Sequence, residues 1–412
     1  MPVVDGRDVP FREAIGFLRD KIELPTETWT DLWQGMHARA FVVAGARDAD
    51  LVADFHEAVR RGLEDGTTLE AFREDFDRIV ARHGWSYRGG RGWRSRVIFE
   101  TNLRTAYQAG RWRQIQEVKE DRPWLRYVAV RDARTRPDHA AWHGAVLHAD
   151  DPWWRTHYPP NGWGCRCIVQ QLSGDDLEAF GYAASAGAPR VEWESRTVNT
   201  PDGEVALRVP RGIDTGWAYN VGEAGFGRGA GLIAQERHGK WQGLFAPGGS
   251  RPADPGRLAA AEPVGRVAPR VPRGDEAALR ERLREAIGGD KAVFADPAGA
   301  RVAVDQALVD HMLEDARRQD GREAYFPLIP ELIERPQEIW VGFAESEASR
   351  RVTVRRRYVR LVRVGRSRVF GLVADIDGGD WAGLTFFRGQ TSALRNLRTG
   401  LRVYSDGGTG GS

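Results

Sequence analysis

The sequence predicts a multidomain protein. We expect a mainly α-helical N-terminal domain with a small β/loop Cys-His knot, a Gly/Pro linker, and an α+β C-terminal domain with an antiparallel sheet. Three observations predict this class. The 412 residues exceed one ordinary hydrophobic core. Apolar residues recur at helical spacing over 10–120, whereas β-type runs follow helices in the last third. Residues 246–274 have the Pro-, Gly-, Ala- and Arg-rich composition of a linker.

Amphipathic segments predict the N-terminal helices. "DADLVADFHEAVRRGLEDG" begins with acids and stops at glycine, as helices do. In "TLEAFREDFDRIVARHGW" one apolar stripe contains Leu69, Phe72, Phe76 and Ile79. "PFREAIGFLRDKI" and the longer "SRVIFETNLRTAYQAGRWRQIQEVK" complete the set. Packing of helices against each other explains these stripes without any further function.

The pattern changes from about residue 123 to residue 172. "WLRYVAVRDART" predicts a strand and turn, followed by a short helix, a coil rich in Pro, Trp and Gly, and a closing strand at "CRCIVQQL". Further on, "VEWESRTVN" and "EVALRVP" predict a hairpin around "TPDG". We therefore place the first domain at 1–182 and the hairpin with its Gly-rich extension at 183–245.

The C-terminal domain is expected over 275–406. It begins with the helical segment "DEAALRERLREAIGG", and a second helix is predicted over 303–318. The β-type runs "EIWVGF", "RRVTVRRRYVRLVRV", "SRVFGLVADID" and "WAGLTFFRGQ" follow. A helical turn and strand in "SALRNLRTGLRVYS" end it. Helices first and antiparallel strands afterwards indicate an α+β domain.

The totals exclude several classes of protein. A formal net charge of +2 does not imply bulk attraction to nucleic acid. No apolar run approaches the roughly 20 residues of a membrane span, and the N-terminal segment does not resemble a secretory signal. Cys165 and Cys167 are the only cysteines, so a disulfide framework is excluded. We expect a protein made in a reducing cytoplasm.

The two cysteines lie close in sequence to histidines that suit a metal. His139 and His143 are four residues apart, and Pro137 would begin a helix that places both imidazoles on one face. Together with Cys165 and Cys167 they supply the four N and S ligands that structural zinc prefers. The alternative is that both cysteines act as small hydrophobic residues while the histidines only form hydrogen bonds.

The same region resembles a known family. The run "RDARTRPDHAAWHGAVLHADDPWWRTHYPPNGWGCRC" is similar to the signature of phage Mu F-like minor head proteins, also called head morphogenesis proteins. "FETNLRTAYQAGR" upstream and "GIDTGWAYN" downstream also resemble this family. The residues that match its pattern are Asp132, Arg134, Thr135, His139, His143, Gly144, Asp151, Trp154, Pro159, Pro160, Asn161, Trp163, Cys165, Arg166 and Cys167.

The resemblance implies a minor capsid component that helps to assemble the phage head. Its expected partners are the portal and other head proteins, and its expected location is the virion, in the capsid interior near the portal. No enzymatic activity is implied for this half of the chain. The Cys-His cluster would then be a closed structural knot, with or without zinc.

Arginines dominate one stretch of the C-terminal domain. Between Ala348 and Ala374 there are nine arginines and no acidic residue, interleaved with Val, Tyr and Leu. Such a strand can lie along a phosphate backbone, and a solvated edge strand would look the same. The candidate contacts to RNA or packaged DNA are Arg355, Arg357, Arg360 and Arg363.

A second resemblance favours the nucleic-acid interpretation. The order of a helix, a His-bearing helix and a sheet with "RRRYVRL", "LTFF" and a late "LRTGL" is similar to the phage-type BECR (barnase, EndoU, colicin and RelE-like) nucleases. This resemblance implies a metal-independent ribonuclease in which the RNA 2′-hydroxyl is the nucleophile. It further implies a toxin or effector role, with a cognate immunity protein as a partner.

Such a reaction needs an acid, a base and cations at the phosphate. His311, the last histidine of the chain, is the titratable candidate. Arg355, Arg356 or Arg357 would hold the phosphate, and we assign this role to Arg356. Tyr358 would donate a proton or orient a base, and Thr385 would bond a phosphate oxygen. Alternatively, His311 is a core residue, because it lies on a stripe with Leu308, and Thr385 is an ordinary strand residue.

Two hypotheses for the whole chain follow. In the first, a head morphogenesis protein carries a C-terminal ribonuclease. In the second, a purely structural minor head protein binds packaged nucleic acid without catalysis. A zinc-dependent hydrolase at the cysteines is a third and weaker alternative, because no open coordination position or general base is indicated.

Overall fold

A computed structural model provides the coordinates. It describes residues 10–201, 203–236, 239–247, 262–263, 267–363, 368–377, 380–389 and 397–406. Within these ranges, side chains are described except at residues 234, 262–263, 363, 368–377 and 380–389. The contacts between Cα atoms divide the chain into two compact units, one of residues 1–248 with 345–352 and one of residues 249–344 with 353–412. Much of the predicted linker lies outside the described residues, and the domain boundaries drawn from the sequence stay predictions.

The first unit is built on helices. Its helices are α1 (Arg12–Arg19), α2 (Ala49–Glu64), α3 (Leu69–His83), α4 (Arg91–Glu117), α5 (Pro137–Trp142), α6 (Trp154–His157), α7 (Gly174–Phe180), α8 (Val221–Phe226) and α9 (Ala230–Ala234). The side chain of Asp48 caps α2 by accepting the Leu51 N–H at 2.9 Å. Gly84 ends α3 in the left-handed conformation. The helices predicted from apolar periodicity are confirmed.

The longest helix, α4, forms the centre of this unit. α1 crosses the middle of α4 in close backbone contact. A Cβ added at Gly110 of α4 would lie 2.7 Å from the backbone nitrogen of Ala14 on α1. Ala106, Ala109 and Trp112 of α4 are fully or almost fully buried. Any side chain at Gly110 would push α1 away, so glycine is required by this close approach.

Short strands complete the first unit. They are β1 (Ile22–Glu23), β2 (Ala40–Phe41), β3 (Trp124–Val128), β4 (Val146–His148), β5 (Ile168–Leu172), β6 (Trp193–Thr200), β7 (Gly203–Pro210) and β8 (Trp241–Leu244). β1 and β2 pair in parallel, and β3 lies between β4 and β5 with both pairings antiparallel. β6 and β7 form the predicted hairpin. The β4-β3-β5 sheet is the frame on which the Cys-His knot is built.

The second unit combines helices with a larger sheet. Its helices are α10 (Glu276–Ile287), α11 (Ala307–Leu313) and α12 (Ile329–Glu334). Its strands are β9 (Glu262–Pro263), β10 (Lys291–Ala295), β11 (Arg301–Asp305), β12 (Glu338–Ser346), β13 (Val352–Arg363), β14 (Arg368–Asp377), β15 (Asp380–Gly389) and β16 (Leu401–Ser405). β12 and β13 each begin or end in the short segment assigned to the first unit.

The sheet order in the second unit is β15-β14-β13-β12-β16. The β15-β14, β14-β13 and β12-β16 pairs are antiparallel, and β9 adds a short parallel pairing to β13. Leu283 of α10, Leu308 of α11 and Ile333 of α12 pack in one core with Tyr358 and Val362 of β13. The predicted α+β class with an antiparallel sheet is confirmed.

One predicted helix is wrong. Residues 303–318 do not form a single helix, because β11 occupies Arg301–Asp305 and pairs with β10. The helix that follows, α11, is only Ala307–Leu313. The apolar residues Val302, Val304 and Leu308 fit either a strand or a helix, so their spacing alone did not decide between the two. Among the residues that the coordinates define, no helix combines the length and the apolar character needed to cross a lipid bilayer.

Candidate functional site

The Cys-His knot brings together three of the four predicted metal ligands. His139 lies on α5, and Cys165 and Cys167 lie just before β5. His139 Nδ1 is 3.8 Å from Cys165 Sγ and 3.5 Å from Cys167 Sγ. All three side chains are buried, and their ligand atoms lie within 4.8 Å of one another. The group could therefore bind a metal ion that prefers nitrogen and sulfur.

The second ring nitrogen of His139 is held by the backbone. Nε2 donates to the carbonyl oxygen of Gly212 at 2.8 Å, which leaves the Nδ1 lone pair facing the two sulfurs. Histidines that bind metals commonly donate their other N–H in this way, because it fixes the ring and its tautomer. Asp214, in the same downstream segment, accepts the Trp163 N–H at 2.8 Å and pairs with Arg136 at 2.7 Å. The "GIDTGW" segment thus closes the knot.

The two thiols differ in their tendency to ionise. A hydrogen bond from Cys167 lowers the pKa of Cys165 against the opposing effect of burial. The neighbouring Cys165 sulfur and burial raise the pKa of Cys167. One thiolate is thus stabilised at the knot, and a bound cation would favour the second.

His143 lies apart from this group, and the predicted shared helix face is wrong. α5 ends at Trp142, and His143 takes a ψ of 127°, which is not helical. Its Nδ1 accepts the Ala129 N–H at 3.1 Å, and its Nε2 lies 3.4 Å from the Arg126 guanidinium. The residues present therefore fit a metal with three ligands, one short of the usual four-ligand structural zinc site.

In the second unit, β13 presents two different faces. Arg356, Tyr358 and Arg360 alternate along the strand and are buried on the side of the helical core. Arg355 and Arg357, on the other face, are half-buried. The sequence could not choose between these faces, because each carries both arginine and apolar residues. The alternation thus places Arg356 and Arg360 on the buried face and Arg355 and Arg357 on the other face.

A buried carboxylate joins two predicted catalytic residues. Asp296, in the turn between β10 and β11, accepts at Oδ2 from Arg356 Nε and from the Tyr358 hydroxyl, both at 2.8 Å. Its Oδ1 accepts the backbone N–H groups of Ala298 and Ala300, both at 2.9 Å. Burial, with a smaller effect from Asp296, raises the pKa of Tyr358 well above its ordinary value. Tyr358 is therefore held as a neutral donor inside the fold.

The remaining arginines of β13 differ in their surroundings. Arg360 donates to Glu331 of α12 at 3.0 Å and to the carbonyl of Arg335. Arg357 donates to the carbonyl of Thr399 at 3.1 Å. The side chain of Arg363 lies outside the described residues. So does that of Thr385, whose backbone pairs with Val373 on β15 and β14.

His311 lies at the edge of the core, not inside it. Leu308 and Met312 of α11 are buried, whereas the His311 side chain is 33% exposed. Its Nδ1 lies 3.3 Å from Arg318 and 3.5 Å from Glu314. The helix that carries it packs against β15, the strand of Thr385. His311 thus combines solvent access with a neighbouring cation and a neighbouring carboxylate.

The sequence interpretation missed two buried carboxylates. Asp296 was not singled out, although "ADPAGA" between two β-type runs is a turn signal. Glu338 binds Arg398 through two contacts of 2.6 Å and also accepts from Trp340 Nε1 at 2.8 Å. No local pattern indicates this pair, because its partners are 60 residues apart.

Family comparisons agree with both halves of this architecture. Residues 53–170 match the family described as "Phage Mu protein F like protein". Residues 278–405 match the family described as "phage-Barnase-EndoU-ColicinE5/D-RelE like nuclease2". Both resemblances predicted from the sequence are confirmed: residues 53–170 are similar to the Mu F-like family, and residues 278–405 are similar to the BECR nuclease-like family.

Two curated relatives extend the first match. The chain is 35% identical over 250 residues to "Putative capsid assembly protein F" of Escherichia phage Mu, covering 55% of this chain and 57% of that protein. It is 35% identical over 223 residues to "Mu-like prophage FluMu F protein" of Haemophilus influenzae, covering 49% of this chain and 54% of that protein. The chain thus spans little more than half the length of either relative. No solved structure matches it.

Proposed function

We propose that the protein is a phage or prophage minor head protein that carries a metal-independent ribonuclease, with a toxin or effector role, in its C-terminal domain. The observation that carries the proposal is the presence of a Mu F-like match and a nuclease-like match in one chain. The printed name of the phage Mu relative concerns capsid assembly, which supports the head-assembly part.

The proposed partners follow from the two halves. The N-terminal half would contact the portal and other head proteins, so the protein would lie in the virion near the portal. The C-terminal domain would act on RNA or lie against packaged DNA. A cognate immunity protein would protect the cell in which the chain is made. These partners are proposals and go beyond the matched family names.

We place the proton transfer at His311. Imidazole is the side chain whose ordinary pKa suits acid-base work near neutrality, and this one is accessible. Arg318, against its ring, is the nearest cation for a phosphate oxygen. Arg356 and Tyr358 would have to break their hydrogen bonds to Asp296 before they could contact the reacting phosphate of the RNA. We keep them, with Thr385, as proposed phosphate contacts that form on binding.

The backbone contacts of RNA are proposed for the arginines of β13. Arg355 and Arg357 are half-buried on the face away from the helical core. Arg360 would first have to leave Glu331, so its contribution is expected to be smaller. Arg363 completes the proposed set. Arginine at such positions can contact two phosphate oxygens at once.

The test is RNA cleavage by the full chain with and without EDTA. We expect tRNA or total RNA to be cut in both conditions. His311→Gln should slow the reaction by about 10²-fold or more, because positioned acid-base groups contribute that much. His148→Gln, a control at a half-exposed histidine of the first unit, should cut at the wild-type rate. Equal rates for both variants would contradict the role of His311.

A specific observation favours the structural alternative. Arg356, Arg360 and Arg398 are buried and pair with the carboxylates of Asp296, Glu331 and Glu338. These pairs connect β13 and β12 to the rest of the unit, so the arginines have a structural use that needs no RNA. Under this alternative RNA stays intact, while DNA binding falls steeply with salt.

We further propose that His139, Cys165 and Cys167 hold zinc as a structural ion. The burial of all three side chains supports a closed site. It gives no support to a zinc-dependent hydrolase, which needs an open coordination position.

A further inference from the structure

A cavity of about 390 Å³ lies within the first unit, beside α4. Apolar residues make most of its wall, among them Ala40, Val43, Val97 and Ile98. The volume falls within the range of small-molecule sites, and a mainly apolar lining with a few polar groups is typical of such sites. Neither the Mu F-like match nor the proposed nuclease gives this cavity a use.

Lys21 places an amino group at the cavity without a carboxylate to balance it. The side chain is buried, with 8% of its surface exposed. Nζ donates to the carbonyl of His37 at 2.9 Å and lies 4.9 Å above the ring of Phe17. Burial and the positive charge of Arg39 lower its pKa to about 7. A buried cation in such surroundings is costly unless an anion joins it.

A second cation lines the same space. Arg94 is half-buried, donates to the carbonyl of Ala44, and lies 5.3 Å above the ring of Trp85. Burial lowers the pKa of its guanidinium. The residues that line the cavity all belong to the described part of the first unit, and none of them is Asp or Glu. Lys21 and Arg94 therefore give the cavity a positive charge that nothing in its lining opposes.

Aromatic rings form the mouth. Trp93 and Trp163 are 57% and 41% exposed, which is high for the largest apolar side chain. Trp163 contacts Trp29 and Trp217 edge to face, with ring centroids 6.2 and 5.1 Å apart. These rings offer flat apolar walls between solvent and the two cations.

We propose that this cavity binds a small anion with an apolar, ring-sized body, of the class of aryl carboxylates. The carboxylate would meet the amino group of Lys21, with Arg94 as the second cation. The ring would lie between Trp93, Trp163 and Trp217. Charge complementarity carries this assignment, because the cations in the lining have no acidic partner there.

The test uses 2-naphthoate as the probe and the full chain, with binding measured by calorimetry. We expect saturable binding of one 2-naphthoate per chain. The neutral 2-naphthamide should bind at least tenfold more weakly, since it keeps the ring and loses the charge. Lys21→Met should weaken binding of 2-naphthoate at least tenfold. Lys291→Met, at an exposed lysine of the second unit, should not change it.

A second variant keeps the proposal testable if Lys21→Met does not fold. Thr101→Trp, on the α4 wall, fills the cavity while Lys21 stays in place, and it should abolish binding. The proposal is overturned if 2-naphthoate does not bind saturably, if acid and amide bind equally, or if the Thr101 variant binds as the wild type does. None of these outcomes depends on ribonuclease activity.

Discussion

Lys21 makes the stability of the folded chain depend on pH. Its pKa is about 7 in the folded protein, against 10.5 for an ordinary lysine in water. Between these values the unfolded chain binds more protons than the folded one, so stability rises with pH. The penalty for the buried charge is therefore complete below about pH 7 and disappears toward pH 10.5.

Lys21→Met should remove this penalty. We expect the variant to be more stable than the wild type at pH 6, and its advantage to be smaller at pH 9 by on the order of 2 kcal/mol. Urea unfolding at the two pH values, without added anion, measures the difference. Lys291→Met should show no such trend. A stability gain from Lys21→Met that is the same at both pH values would contradict the lowered pKa of Lys21.

The Cys-His knot allows a test that separates its histidines. We expect about one zinc per chain, by elemental analysis of the purified protein, as a structural site would give. His139→Gln and Cys167→Ser should bind zinc at least tenfold more weakly, because each removes a ligand atom. His143→Gln should keep the metal, because both ring nitrogens of His143 face other groups. Zinc-free wild-type protein would reject the site.

At the level of elements, Asp296 in the β10–β11 turn is hydrogen-bonded to Arg356 and Tyr358 of β13. Asp296→Asn should destabilise the second unit by about 3 kcal/mol, because Arg356 would keep a buried charge without its partner. Chemical denaturation measures the loss. Asp290→Asn, at a largely exposed carboxylate paired with Arg284, should cost less than about 1 kcal/mol. Equal losses of stability in the two variants would show that the buried Asp296–Arg356 pair contributes no more than the exposed Asp290–Arg284 pair.

The spacing of apolar residues predicted helices and strands correctly where it fits only one of the two periods. The α2 and α3 segments carry apolar stripes, caps and stop signals that agree with one another, and both helices form as expected. The prediction of a single helix over 303–318 was wrong because the alternating apolar pattern of "RVAVD" is followed directly by the helical spacing of "ALVDHML". The strand forms because β10 is available to pair with it, a partner that local spacing does not reveal.

Site residues were predictable by type and less so by arrangement. Two cysteines beside several histidines indicated a cluster, and three of its members meet. The exclusion of His143 depends on where α5 ends, a boundary that composition does not fix. The sequence did not indicate Asp296 and Glu338 because the arginines that pair with them are 60 residues away in sequence and meet them only in the folded unit.

At the level of the whole molecule, the chain joins two units whose matches point to different tasks. The first unit contains the Mu F-like match, and the second unit contains the nuclease-like match except for residues 345–352. The central claim is that the second task is chemistry on RNA. We propose that residues of α11 and of the strands beside it transfer the protons and bind the phosphate.

The most direct test is the end group left by the full chain on a defined RNA oligonucleotide in EDTA. Attack by the 2′-hydroxyl leaves a 2′,3′-cyclic phosphate, so mass spectrometry should find that end. A single 2′-deoxy substitution at the cut site should prevent cleavage there. Intact RNA, or cleavage that persists at the 2′-deoxy position, would contradict the account.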